Sequence, residues 1–295
     1  MNYIQKKEPA INQKYKDTLF RMIFRERQNL LQLYNALNGT NYTNESELDI
    51  VTLENAIYMN IKNDVAFLLA DNLNLYEHQS TYKPNMPLRD LFYICREYEK
   101  LIGLESLYRR KAIQIPNPRF VVFYNGTDWH EEYQILKLSD LYLQQEEQPE
   151  LELKVQMLNI NIGYNKAIMD QCQTLSEYMQ YVNKVRTYAE TMPIQEAVEQ
   201  AVTESIQQGI LSDFLCRFRR EAIQMSIFEY NEEETLRLIR QDERQEGYEQ
   251  GVQQNSEEGI RNLMKNLKLN LNQAMDALNI PAEEQPMYAA RIQKQ

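Results

Sequence analysis

The chain of 295 residues contains few of the residue types that mark several large protein classes. Its three cysteines, Cys95, Cys172 and Cys216, are odd in number and show no metal-ligand spacing, which argues against a disulfide framework or a cysteine metal site. No run approaches the roughly 18 consecutive apolar residues of a membrane span. Residues 1–16 lack the apolar stretch of a signal peptide. We therefore expect a cytoplasmic protein with reduced thiols, and neither a secreted scaffold nor a membrane channel.

Glycine and histidine are also scarce, at eight and two residues. The glycines form neither a Walker A loop nor a G-x-G-x-x-G loop, so no nucleotide cofactor is expected. The two histidines, His78 and His130, accompany no G-x-S-x-G motif and do not support a Ser-His-Asp triad. For both rings the sequence favours a structural role over a catalytic one.

The charge is acidic overall, with 43 Asp and Glu against 32 Lys and Arg and a formal net charge of −11. That total argues against nucleic acid as a partner, because binding phosphates requires positive surface. The charge is unevenly distributed, however. Residues 1–125 hold 16 basic and 14 acidic side chains, whereas residues 190–259 hold 16 acids and 6 arginines. The first part of the chain therefore remains compatible with nucleic-acid binding.

Hydrophobic periodicity predicts an α/β (α+β) fold with a mixed central sheet, followed by an all-helical C-terminal extension. Apolar residues recur at helical spacing in some segments and alternate, or run continuously, in others. The expected elements are a helix over 17–37, three strands between 48 and 82, a helix over 88–102, strands over 120–124 and 151–161, and a helix over 164–190. Helices are expected almost throughout the rest.

Three regions follow from this pattern. Residues 1–190 are expected to form the α/β domain, residues 191–259 an acidic helical extension or connector, and residues 260–295 a small helical module. The acidic region is interpreted as a solvated spacer or packing helix, a self-association helix, or a mask over a DNA-binding groove. The last module has the outline of a helix-turn-helix, which leaves binding to a target site open.

The strongest candidate site lies on a hairpin expected between residues 63 and 80. A two-residue turn at Asp71-Asn72 sets the register of its strands. In that register Asp64, Glu77 and Gln79 project from one otherwise apolar face. Two carboxylates there repel each other unless a cation lies between them, and Mg²⁺ prefers such oxygen ligands. The alternative is that the acids start a strand and line a solvated edge.

The same residues resemble a known nuclease motif. Asp64, twelve intervening residues and Glu77-His78-Gln79 resemble the D-x(n)-E-x-Q/K core of PD-(D/E)XK nucleases, and most closely the Rpn branch of transposase-like, recombination-promoting nucleases. Three further segments are similar in the same order. They are Tyr15–Arg21, similar to the K-D-x-x-F-[KR] helix; Asn85–Arg89 with Tyr93, similar to the R-x-x-x-Y helix; and Ile115–Pro118 leading into Phe123–Gly126, similar to the next core strand. The resemblance covers about residues 15–190.

The resemblance implies a restriction-endonuclease-like αβββαβ core that cleaves DNA with Mg²⁺, or with Mn²⁺ in its place, in mobile-element recombination. It implies that Asp64 and Glu77 bind the metal, with the His78 backbone carbonyl as a third ligand and Asp17 as an additional acid. Gln79 stands where the motif's Lys polarises the attacking water. Because an amide accepts no proton, Gln79 could only orient that water.

Basic side chains in the same part of the chain are candidates for contact with DNA phosphates, although exposed loops carry such residues too. These are Lys83, Arg89, Arg109, Arg110 and Lys111. DNA is therefore the expected partner, with a homodimer where both strands are cut and no membrane. Two alternatives remain open: cleavage of RNA or branched DNA, and a catalytically silent DNA-binding or protein-interaction module that retains the fold.

Overall fold

A computed structural model describes residues 19–51 and 65–293 of the chain. The chain divides into two compact units, with the boundary between Glu233 and Glu234. In its described part the first unit contains a six-stranded mixed sheet with helices, and the second is helical. The structure thus confirms the α/β (α+β) class expected from the sequence.

The strands are β1 (Asp49–Ile50), β2 (Val65–Leu69), β3 (Asn72–Gln79), β4 (Asn117–Tyr124), β5 (Tyr133–Lys137) and β6 (Lys154–Asn159). The helices are α1 (Leu19–Phe24), α2 (Arg27–Asn38), α3 (Met86–Ile102), α4 (Lys166–Gln171), α5 (Gln173–Ala189), α6 (Ile194–Gln207), α7 (Ser212–Arg217), α8 (Arg219–Leu267), α9 (Leu271–Ala277) and α10 (Gln285–Gln293). Across the sheet the order is β1-β2-β3-β4-β6-β5. The β3–β4 and β4–β6 pairs are parallel and the other three are antiparallel.

Helices cover both faces of the sheet. On one face α3 packs over Leu73, Leu75 and the alternate residues of β4 and β6. On the other face α1, α2 and α5 pack over Phe67, Tyr76 and Phe123. Because β4 is covered on both sides, its second half reads as the continuous apolar run Phe120–Tyr124 instead of an alternating pattern. The C-terminal end of β3 lies against the start of α3.

The turn of the β2–β3 hairpin differs from the expected one. It lies at Ala70–Asp71, with positive φ values of 49° and 59°, and Leu69 pairs with Asn72. The predicted turn at Asp71-Asn72 was therefore wrong: Asn72 begins β3, and its side-chain amide donates to the Ala70 carbonyl at 2.9 Å. The register moves by two residues, so each side chain keeps its predicted face.

Two further elements differ from expectation. β5 was not predicted, because its apolar character is confined to Ile135 and Leu136 within a polar surround. The helix expected over 164–190 is divided into α4 and α5 at Cys172, whose backbone is non-helical (φ −118°, ψ 87°). Similarly, the first helical pattern is divided between α1 and α2.

The first unit extends past the domain end expected at residue 190. Helix α6 buries Val198, Ala201 and Val202 in the same core as α5, and α7 adds Phe214. An amphipathic helix is stable only when its apolar face is covered, and α6 finds that cover within the α/β unit. The Gln/Glu-rich stretch 247–259, expected as a connector, lies within the continuous helix α8.

The second unit has a small apolar core of its own, built from the end of α8, α9 and α10. Ile260, Met275 and Tyr288 are buried in it. Helix α9 begins with a capping box in which Asn270 accepts from the Gln273 backbone N–H and the Gln273 side chain accepts from that of Asn270. Among the helices that the structure describes, none is both long and apolar enough to cross a membrane.

Candidate functional site

Glu77 and Gln79 lie at the C-terminal end of β3 and project from the face that α3 covers. They pair with Val122 and Tyr124 of the parallel strand β4. Both side chains are buried, with relative exposures of 6% for Glu77 and 4% for Gln79. A carboxylate buried among apolar residues requires a compensating charge or several hydrogen bonds.

Arg89 of α3 provides a compensating charge. Its Nη2 lies 2.7 Å from Glu77 Oε1, and its side chain is 27% exposed. The Arg89 Nε donates to the Tyr93 hydroxyl at 3.1 Å, one helical turn further along. Glu77, Arg89 and Tyr93 therefore form one connected polar cluster under α3, which we call the Glu77–Arg89 cluster.

Asp90 is a second acid on the buried face of α3. It is 3% exposed, and burial raises the pKa of its carboxyl to about 8, although the positive charge of Arg89 acts in the opposite direction. At neutral pH this carboxyl is therefore mostly protonated. Because it carries little negative charge, it competes weakly with Glu77 for Arg89.

The side-chain amide of Gln79 uses only part of its hydrogen-bonding capacity. Its Nε2 donates to Met86 Sδ at 2.7 Å, at the start of α3. Its Oε1 is buried and has no hydrogen-bond partner among the residues that the structure describes. Gln79 Oε1 and the buried Glu77 carboxylate therefore place two sets of hard oxygen donors on one face of the sheet.

His78 lies between these two residues in sequence but projects from the opposite face. Its ring stacks on Phe20 at a centroid distance of 5.1 Å and shares a 3.2 Å hydrogen bond with the Tyr178 hydroxyl. Burial, together with the positive charge of Arg186, lowers the pKa of His78 to about 3. A neutral, partly buried imidazole of this kind links the sheet to α1 and α5, and its side chain lies on the face that the alternation of side chains predicts.

The remaining predicted site residues are dispersed. Asp17 and Asp64 lie outside the residues that the structure describes. Arg89, a predicted contact to the DNA backbone, forms an ion pair with Glu77. The other four candidates for DNA contact are exposed: Lys83 before α3, and Arg109, Arg110 and Lys111 after it.

Among the described residues, Glu77 and Gln79 carry oxygen atoms of the kind that divalent cations bind. Within 19–51 and 65–293 no group of three or more His, Cys, Asp or Glu side chains is positioned to hold a metal. The Glu77 carboxylate and Gln79 Oε1 nevertheless fit the oxygen chemistry that Mg²⁺ prefers. Completing such a site requires further oxygen ligands, and Asp64 and the His78 carbonyl are the ones that the motif resemblance assigns.

Sequence reasoning overlooked Asp90 and the contact between Arg89 and Glu77. A signal for Asp90 was available, since the apolar positions of α3 recur at Met86, Ile94 and their neighbours, and Asp90 falls on the same helical face. The ion pair had no such signal, because it depends on how α3 crosses β3. Comparison of the chain with protein-family models, curated proteins and solved structures gives no match.

Proposed function

We propose that this chain is a divalent-metal-dependent nuclease that hydrolyses phosphodiester bonds of DNA, of the Rpn-like PD-(D/E)XK type and active in mobile-element recombination. One observation carries the proposal. The E-x-Q element (Glu77 and Gln79) and the R-x-x-x-Y element (Arg89 and Tyr93) were identified separately in the sequence, and the Glu77–Arg89 cluster joins them.

The order of elements supports the same proposal. Helices α1 and α2, strands β1 to β3, helix α3 and strand β4 follow one another as α, βββ, α, β, and β4 lies parallel to β3. Among the described residues, which omit 52–64 between β1 and β2, this order is compatible with the αβββαβ core that the resemblance implies. The crossover through α3 places the end of β3 under a helix, where buried polar groups are protected from bulk water.

The residues of the cluster have distinct proposed roles. Glu77 binds the cation through its carboxylate, and Arg89 fixes the orientation of that carboxylate. Gln79 orients a water molecule by hydrogen bonding and leaves the removal of its proton to another acceptor. A bound Mg²⁺ supplies charge neutralisation at the phosphate and lowers the pKa of a coordinated water.

Nicking of supercoiled plasmid in the presence of Mg²⁺ tests the proposal. Glu77→Gln keeps the side-chain shape but removes the charge, and we expect at least a hundredfold slower nicking, which corresponds to about 2.7 kcal/mol in the barrier. Glu99→Gln, an exposed acid on the same helix as Arg89, is the matched control and should nick at the wild-type rate. Asp64→Asn should behave like Glu77→Gln.

Circular dichroism and thermal unfolding of each variant separate lost chemistry from lost structure. A folded Glu77→Gln variant that nicks as fast as the wild type contradicts the proposal. Wild-type protein that fails to nick plasmid, branched DNA or RNA with either Mg²⁺ or Mn²⁺ contradicts it as well.

A catalytically silent module is the second candidate, and the ion pair itself favours it. Arg89 already supplies a positive charge within 2.7 Å of Glu77, a charge otherwise assigned to the metal. Titration of Mn²⁺ distinguishes the two functions. A nuclease should bind Mn²⁺ at a site that Glu77→Ala abolishes, whereas a silent module should bind DNA without any metal site sensitive to that change.

A further inference from the structure

A polar cavity lies on the face of the sheet opposite the Glu77–Arg89 cluster, near the N-terminal ends of β3 and β4. It encloses about 380 Å³, within the size range of small-molecule sites, roughly 300–1,000 Å³. Arg119 of β4 and Lys154 of β6 line it, together with Asn74 of β3. We call it the basic sheet pocket.

The pocket is separate from the Glu77–Arg89 cluster. Successive residues of a strand project from opposite faces, so Asn74 and Tyr76 face the pocket side whereas Glu77 faces α3. Asn74 pairs directly with Arg119 in the β3–β4 ladder. Leu37 and Asn38 of α2 line the pocket together with Arg119, so the pocket lies on the α2 side of the sheet.

Three cations lie side by side on this face. Lys154 lies directly opposite Lys137 in the antiparallel β5–β6 pair. In the parallel β4–β6 pair, Val121 lies beside Gln156. Arg119 and Lys154 each precede these residues by two positions, so they lie beside each other on the same face. Adjacent strands are about 4.8 Å apart, so the three charged residues occupy neighbouring positions across three strands. Like charges directly opposite each other destabilise a sheet unless a counter-ion lies between them.

No carboxylate of the described residues acts as that counter-ion. Among the described residues, Arg119, Lys137 and Lys154 form no ion pair with an acid, and no acidic side chain lines the pocket. The acid closest to Lys154 along the chain, Glu152, accepts hydrogen bonds from Ser139 N at 3.2 Å and Oγ at 2.8 Å. In a chain with a net charge of −11, this unpaired positive group is a local exception.

The lining also contains neutral hydrogen-bonding groups and an apolar floor. Asn74 is 2% exposed, and its amide makes one long hydrogen bond of 3.4 Å to the Asn72 carbonyl. Gln156 adds a second amide at the rim, and Val121 and Ile135 supply apolar surface beside it. Cations, amide donors and an apolar wall suit a phosphate group attached to an organic body better than a free inorganic ion.

We propose that the basic sheet pocket binds a phosphate ester, with Arg119 contacting two phosphate oxygens and Lys154 and Lys137 acting as point charges. The ester is either that of a nucleoside monophosphate or that of a nucleic-acid backbone. The proposal does not depend on nuclease activity, because the pocket and the Glu77–Arg89 cluster lie on opposite faces of the sheet.

Calorimetric binding at low ionic strength tests it, with a 5′-mononucleotide, a ten-nucleotide single strand and inorganic phosphate as the probes. Arg119→Gln/Lys154→Gln should weaken binding of the preferred probe at least tenfold. Arg220→Gln/Lys265→Gln removes two exposed cations elsewhere and is the matched control, with an expected change below twofold. All four changes are at exposed positions, so the variants should fold.

The arms of the experiment separate the two sources of phosphate. If the wild type binds the mononucleotide, and the Arg119/Lys154 variant loses this binding while the control variant keeps it, the ligand is a free phosphate ester. If only the single strand shows that loss, the pocket contacts a nucleic-acid backbone, and the slope of log affinity against log salt should fall by about 1.4 for two lost contacts. Equal binding of every probe by the variant and the wild type overturns the proposal. An absence of plasmid nicking leaves these outcomes unchanged.

Discussion

The guanidinium of Arg89 and the carboxylate of Glu77 meet at 2.7 Å between helix α3 and strand β3. The two residues are twelve positions apart in the chain, and the Arg89 guanidinium compensates a carboxylate charge that would otherwise be buried without a partner on the sheet face. Breaking a buried pair of this kind is destabilising because the remaining charge loses its compensation. The same contact holds the Glu77 carboxylate in one orientation, as metal binding would require.

The energetic coupling of this pair is measurable. Arg89→Gln should lower the free energy of unfolding by about 1–3 kcal/mol, less than for a fully buried pair because Arg89 is 27% exposed. The double variant with Glu77→Gln should be more stable than the sum of the single effects implies, with a coupling energy of at least about 1 kcal/mol. Urea unfolding of the four proteins provides the numbers.

An exposed ion pair is the control for that cycle. Arg237 and Glu234 lie 2.9 Å apart, but their side chains are 54% and 38% exposed. Their coupling should stay below about 0.5 kcal/mol. Equal coupling in the two cycles would show that Arg89 and Glu77 behave as a solvated surface pair, contrary to the burial on which the candidate site rests.

The buried Asp90 and the partly buried His78 together give the free energy of unfolding a distinctive dependence on pH. The pKa of Asp90 rises from 3.8 to about 8 on folding, so its protonated form stabilises the protein below pH 4 and that contribution is lost as pH rises through 8. The pKa of His78 falls from 6.5 to about 3, so its contribution is present above pH 6.5 and is lost as pH falls through 3. The two slopes oppose each other between about pH 4 and 6.5.

Asp90→Asn should separate these contributions. In the wild type, the two pKa shifts predict that the free energy of unfolding is nearly constant between pH 4 and 6.5. Between pH 6.5 and 8 it should decline by at most about 1.4 kcal/mol per pH unit. The variant should lack that decline and should instead gain stability with rising pH between 4 and 6.5. Urea titrations at half-unit intervals test this, and parallel profiles for the two proteins would contradict the protonated state of Asp90.

Substitution of Gly126 tests how closely the chain segments that follow β3 and β4 approach each other. A Cβ at this position would lie 2.0 Å from the Ser80 carbonyl oxygen and 2.6 Å from the Tyr124 hydroxyl, and the first of these is backbone. Gly126→Ala should therefore destabilise the first unit by at least about 2 kcal/mol. Gly39→Ala is the contrast, because Gly39 has φ 62° but nothing within 4 Å, and about 1–2 kcal/mol is expected there. Thermal unfolding ranks the two.

Side-chain alternation was sufficient to predict which face of the hairpin carries Glu77 and Gln79. A strand has a period of two residues, so the error of two residues in register left every face unchanged. The ion pair to Arg89 was beyond such reasoning. Sequence periodicity shows that α3 is a helix with a buried face, but the residue of α3 that meets Glu77 depends on how the helix crosses the strand.

The core of the first unit continues past residue 190, where the sequence pattern placed the end of the α/β domain, for a related reason. Val198, Ala201 and Val202 recur at helical spacing, and that pattern correctly predicts an amphipathic helix. It does not identify the surface that covers the apolar face. The acidic surplus of residues 190–259 suggested a separate segment, whereas burial shows α6 to be part of the α/β core. The charged residues of a helix identify its solvated face, but they do not identify the surface that its apolar face contacts.

That boundary predicts how shortened chains behave. A chain ending at residue 233 keeps α6 and α7 and should unfold in one cooperative transition. A chain ending at residue 190 loses the four buried apolar side chains of α6, two of which are valines. At roughly 1.5–3 kcal/mol for each buried valine, the second chain should lack a cooperative transition. Residues 234–295 hold ten acids and eight bases, so their removal changes the net charge only from −11 to −9.

DNA binding by the chain ending at residue 233 therefore tests the masking interpretation of the acidic region. Because so little charge is removed, affinity for a duplex at fixed salt should stay within about twofold of the full chain. A much larger increase would show that residues 234–295 cover the DNA-binding surface sterically. Unchanged affinity would confine any electrostatic masking to residues 190–233, which hold nine acids and three arginines and belong to the folded first unit. There, masking is measurable by replacing exposed glutamates with glutamine.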